Sequence, residues 1–199
     1  MDEPIPIKAS DYDARQVESL ASQFVAKYAL PTGKGLYGKL LDVVDTLGGA
    51  IREYVTDPGQ PIPPGLLIPG EGGMQFDIYL VKDDPPRQKT MDLCHELGHL
   101  IVQYPDMVRR AQEEGKPPPP AMAEFNTLDR KDMEANWFAM AVLMPERLLV
   151  KAHQATPGDI SRLSDEFEAP HLAAEARVAI LLARKKIAFP APKEARTDG

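Results

Sequence analysis

Three residues in one short run have the types and spacing to do chemistry together. They are His95, Glu96 and His99 of His95-Glu96-Leu97-Gly98-His99. On a helix, positions i and i+4 lie on one face, so both imidazoles can reach a single metal ion. Zinc takes nitrogen ligands at about 2.0–2.1 Å, and a catalytic site keeps three protein ligands and one open position. Glu96 follows the first histidine directly. That spacing places a carboxylate beside the metal, where it can take a proton from water as the water attacks a carbonyl. The flanking Met91, Leu93, Cys94, Leu97, Leu100 and Ile101 are apolar, so the helix is read as largely buried. Buried polar side chains without partners are costly, and a bound metal relieves that cost. The ordinary alternative, two histidines packed without a metal, fits these flanks less well.

A third ligand has to come from elsewhere. The chain has four histidines, and His153 and His171 each stand alone in polar surroundings, where histidines are usually structural or solvent-facing. Cys94 points about 100° away from the His95/His99 edge of a helix and reads as a small buried hydrophobe. Glu134 is the stronger candidate. After it, no charged residue occurs until Glu146, so the segment is too apolar all round for a surface helix. A buried carboxylate needs a cation or must neutralise, and zinc is a suitable cation. Asp132 is instead assigned, with Asp129, to the start of that helix as an N-cap and N3 pair.

The elements that must position these residues follow from periodicity. Apolar residues at Val17, Leu20, Ala21, Phe24, Val25 and Tyr28 predict a first helix, with Ser10 and Asp11 ahead of it as caps. A second helix covers 37–47 and stops at Gly48-Gly49. Strands are expected over 50–55, 65–68 and 74–82, the last from its strict alternation. Helices are expected over 87–103, 106–114, 129–144, 159–168 and 170–186. Helices, a small sheet, then helices is an α+β order. The expected organisation is a core over 1–150, a helical pair over 151–189 and a mobile tail over 190–199.

The chain has 199 residues, enough for one domain with a sizeable core. Its formal net charge of −7 argues against a nucleic-acid-binding surface. Its single cysteine excludes an internal disulfide and fits a reducing cytosol. The acidic, proline-broken start lacks the regions of a signal peptide, and no apolar run is long enough for a membrane span. These features predict a soluble, cytoplasmic protein.

The run His95 to His99, followed by Glu134-Ala135-Asn136-Trp137-Phe138-Ala139 and Leu143-Met144-Pro145, resembles the ImmA/IrrE family of bacterial metallopeptidases. The later stretch with Leu163, Phe167 and Arg177 is similar to that family's closing helix-turn-helix-like pair, so the resemblance covers about 20–186. It implies metal ligands at His95, His99 and Glu134, a catalytic base at Glu96, and a small zincin-like sheet, here read as three strands, packed with helices. It also implies a protein substrate, a helix-turn-helix repressor whose cleavage relieves repression. Cys94 and Gln103 depart from the family's usual alanine and histidine, at positions that are not ligands in the family pattern.

The leading expectation is therefore a zinc endopeptidase. Two nitrogens and one carboxylate suit zinc best, with manganese as the alternative. A substrate segment could pair beside an edge strand near 75–81. Tyr79, Tyr104 and His153 are candidates by type for a second oxyanion donor. One competing reading is a non-proteolytic regulator or toxin–antitoxin component that acts by binding a protein through the helical pair. Another is a metal-dependent hydrolase of a non-peptide substrate.

Overall fold

Local chemistry sets the first helix. The Asp13 side chain accepts from the backbone N–H groups of Arg15 and Gln16, and the Gln16 side chain accepts from the Asp13 N–H. This capping box starts α1 (Ala14–Lys27), which buries Val17, Ala21 and Phe24. The cap is Asp13 and not Ser10 or Asp11; Ser10 is used elsewhere. The computed structural model describes residues 3–57, 63, 65–69, 75–123 and 129–186. The tail over 190–199, expected to be mobile, lies outside the described residues.

The elements run β1 (Ile5–Pro6), α1, α2 (Leu36–Thr46), β2 (Gly49–Tyr54), β3 (Leu66–Ile68), β4 (Phe76–Val81) and α3 (Pro86–Gly98). A π-helical turn, His99–Gln103, joins α3 to α4 (Tyr104–Glu113). Then come β5 (Ala121–Ala123), α5 (Arg130–Leu143), α6 (Glu146–Ala155), α7 (Ile160–Glu166) and α8 (His171–Ala183). The α+β class is as expected. The sheet differs: among the described residues it has five strands in the order β1-β5-β3-β4-β2, not three. The two added strands span two and three residues, too short to show alternation, and both adjoin prolines.

The best sequence strand, β4, buries Phe76, Ile78 and Leu80 on one face. It is an interior strand, parallel to β2 and antiparallel to β3, which pairs with it at Asp77 and Ile78. The sheet edges are β1 and β2.

Beside the sheet, α3 and α5 cross closely, because position 98 has no side chain. A Cβ on Gly98 would lie 2.9 Å from the Cα of Ala135 and 3.0 Å from its carbonyl oxygen. The closing helices join the same core through Leu163, Phe167, Val178 and Leu181. Arg177, 1% exposed, anchors them. Its Nε donates to the Met144 carbonyl at 3.2 Å and its guanidinium pairs with Glu18, which also pairs with Arg184 at 2.8 Å. α6 runs through residue 150, and α7 and α8 form the closing pair.

Candidate metal centre

The α3–α5 crossing sets the site. α3 starts on Pro85-Pro86, where the missing N–H of the second proline costs no helical hydrogen bond. Its last turn carries His95 and Glu96, and the π-helical turn begins at His99. π-helical turns of this kind recur at functional sites. Asp132 and Asn136 are also four residues apart, so they share the face of α5 that meets the two histidines.

The four side chains interlock. His95 Nδ1 lies 2.9 Å from Asn136 Oδ1, and His99 Nδ1 lies 2.6 Å from Gln103 Oε1. An amide oxygen only accepts, so each Nδ1 carries the proton and each Nε2 is left with a lone pair. Those two Nε2 atoms face each other at 3.0 Å. Asp132 Oδ1 lies 3.5 Å from His99 Nε2 and 4.0 Å from His95 Nε2. Two lone pairs and a carboxylate oxygen thus converge without a hydrogen between them. Beside them, Asp132 Oδ2 and Glu96 Oε2 are buried without a hydrogen-bond partner among the described residues. Converging acceptors of this kind need a proton or a cation between them, and a divalent ion meets all of them at once. Ligands about 2.0–2.1 Å from one tetrahedral ion would be about 3.3 Å apart, close to the separations here. The donor set fits zinc or a similar divalent ion.

Burial and the neighbouring charges shift the two histidines in opposite directions. Burial pushes the His95 imidazole down to about 4, and the neighbouring His99 adds to that, with Asn136 and Asp132 opposing. Burial also opposes the charged form of His99, but Asp132, Glu96 and Gln103 outweigh it and raise that group. Burial raises the Glu96 carboxyl to about 7, helped by the charges of Asp92 and Asp132 and opposed by His99. A carboxylate near neutrality is suited to general-base work. Gly65, just before β3, leaves room for it: a Cβ there would sit 2.1 Å from Glu96 Oε1.

Of the residues expected from sequence, His95, Glu96 and His99 come together, and Glu134 does not join them. The group of side chains able to hold a metal among the described residues is His95, His99 and Asp132. Glu134 is fully buried, and both its oxygens are already used. Its Oε2 accepts from Ser10 N at 2.9 Å, Ser10 Oγ at 2.8 Å and Gln103 Nε2 at 3.1 Å. Its Oε1 accepts from Arg130 Nε at 3.0 Å. The cation that offsets its burial is Arg130, one turn earlier on the exposed side of α5.

Asp132 does sit at N3 behind the Asp129 cap, as expected, but its carboxylate turns toward the histidines. The signal that could have found it is the Asp132/Asn136 spacing, which repeats the His95/His99 spacing. Cys94 is fully buried, as read. Of the candidate oxyanion donors, Tyr104 donates its hydroxyl to the Pro119 carbonyl at 3.2 Å, and His153 is buried in α6.

Residues 75–179, just over half of the chain, match the model of the peptidase M78 family, described as the IrrE N-terminal-like domain. The chain belongs to that family, and membership supports a metallopeptidase-like role. A Mycobacterium tuberculosis transcriptional regulator shares the fold, with a TM-score of 0.56 at 18% identity. The superposition covers 82% of this chain and 47% of the regulator, so this chain spans about half of that protein's length. No curated protein sequence matches the chain. Among the described residues, no helix is long and apolar enough to cross a membrane.

Proposed function

We propose that the chain is a zinc-dependent endopeptidase of the cytoplasm, with a metal held by His95, His99 and Asp132 and with Glu96 as general base. The observation that carries this reading is the pair of imidazole lone pairs facing each other beside two unpartnered buried carboxylate oxygens. A divalent ion held there would supply Lewis-acid polarisation of a peptide carbonyl and a lowered pKa for water. Glu96 takes the proton of the attacking water on its unpartnered Oε2 and passes it to the leaving amine. Asn136 holds the His95 ring through its Nδ1, and Asp132 brings the negative charge that offsets the ion.

The substrate best supported is a protein, and within that class a helix-turn-helix repressor. That choice rests on the family resemblance and on a structural neighbour described as a transcriptional regulator. The test incubates a helix-turn-helix regulator, taken from the gene's neighbourhood if one is encoded there, with zinc-loaded wild type and with Glu96→Gln. A fragment formed by the wild type only, and lost on chelation, supports cleavage. If Glu96→Gln cleaves equally well, the peptidase reading is wrong. The neighbour's description also favours a second reading, a metal-stabilised regulator that acts by protein binding. In that case Glu96→Gln keeps the biological effect and surface variants of α7 and α8 lose it.

A further inference from the structure

Gln103 lies directly behind the metal centre, fully buried, and all of its polar atoms are used. Its Nε2 donates to the Lys131 carbonyl at 2.6 Å and to Glu134 Oε2 at 3.1 Å. Both partners are acceptors only, so the amide nitrogen must face them and the amide oxygen must face His99. Turned over, the same amide would present N–H groups to His99 Nδ1. The ring would then carry its proton on Nε2, where a metal cannot bind.

We propose that Gln103 and Glu134 are positioning residues that hold His99 in its metal-binding tautomer. Glu134 fixes the amide, and the amide fixes the imidazole. Ser10 and Arg130 hold the Glu134 carboxylate in turn, so the segment after β1 is tied to the metal centre through one hydrogen-bonded chain. Outer partners of ligating histidines fix tautomer and ring orientation in this way, and their loss typically costs about 10–100-fold in metal affinity. This proposal rests on the metal centre described above. It gives Glu134 a different role from the ligand role that the sequence suggested.

The test measures zinc affinity by competition with a chromophoric chelator, and the ring ¹⁵N signals of His99 in the metal-free protein. Gln103→Leu and the near-isosteric Gln103→Met remove the acceptor. Each is expected to bind zinc about 10–100-fold more weakly than wild type. The ¹⁵N signals of each are expected to move from a single Nδ1–H tautomer toward a mixture, a change that a purely structural role would not produce. Glu134→Gln keeps an oxygen for Gln103 and Ser10 and is expected to weaken zinc binding by less than the Gln103 variants do, while Asp132→Ala loses the metal. Wild-type affinity and an unchanged tautomer in the folded Gln103 variants would overturn the proposal. So would loss of zinc by Glu134→Gln as complete as that of Asp132→Ala, since Glu134 would then be a ligand. If wild type itself binds no zinc, the metal reading fails and this proposal with it, a result distinct from either of those.

Discussion

Gly98 and Ala135 meet where the backbones of α3 and α5 cross, and a single methyl group on Gly98 would come within 2.9 Å of the Ala135 Cα. The contact is with backbone, so no side-chain rotation relieves it. Gly98→Ala is therefore expected to push the two helices apart, with an overpacking cost of about 1–3 kcal/mol. In a chain of this size that is a fall of about 2–4 °C in Tm per kcal/mol. The same displacement separates Asp132 from His95 and His99, so zinc affinity should fall together with Tm. Thermal melts with and without zinc check this: an unchanged Tm would mean that the helices do not meet as closely as described.

Gly65 serves Glu96 as Gly98 serves the helix crossing, but with a different expected signature. The group that a Gly65 Cβ would strike is the end of a side chain, the Glu96 carboxylate. Gly65→Ala should leave the fold and zinc stoichiometry near wild type and lower cleavage of the protein substrate by more than about tenfold, as expected when a general base is moved off line. Comparable cleavage by Gly65→Ala and wild type would show that Glu96 can act from a shifted position.

The closing helices should make stability depend on acid. Burial raises the Glu18 carboxyl, but hydrogen bonds and charge from Arg177 and Arg184 outweigh it and leave the group below its ordinary 4.5. A carboxyl depressed in the folded state adds stability that is present above its unfolded pKa and is lost as pH falls through the folded value. Tm should therefore drop on acidification below about pH 4.5. Glu18→Gln should lower Tm at pH 7 and flatten that acid limb. Arg177→Ala should be more severe, about 3–5 kcal/mol in urea titrations, because it leaves a half-buried carboxylate and the Met144 carbonyl without their main donor. Equal acid limbs in wild type and Glu18→Gln would remove this cluster from the account.

The parts of the site that the sequence made legible are those whose partners lie nearby in the chain. His95, Glu96 and His99 are one helical turn, and their i, i+4 geometry holds wherever the helix packs. Long periodic segments behaved likewise: α1, α2, β4 and α5 fall close to where periodicity put them. What could not be read depended on distant contacts. Glu134 was rightly expected to be buried and in need of a partner, but the partners are Arg130, Gln103 and Ser10, the last of these 124 positions away. For Asp132, a position at N3 supports a role at the helix start equally well. The packing of α5 on α3, close at Gly98 and Ala135, brings its carboxylate beside the two histidines. β1 and β5 carry too few residues to show a period, so the sheet had five strands where three were expected.

A metal centre made by His95, His99 and Asp132 holds one ion per chain, and metal stoichiometry measures that without reference to substrate. Purified chains are stripped with chelator, reloaded with excess zinc, passed through gel filtration and assayed for zinc per chain. Wild type, Glu96→Gln and Glu134→Gln are predicted to retain one zinc each, and His95→Ala, His99→Ala and Asp132→Ala to retain almost none. A full equivalent of zinc in Asp132→Ala, with loss of zinc from Glu134→Gln, would mean that Glu134 and not Asp132 is the third ligand.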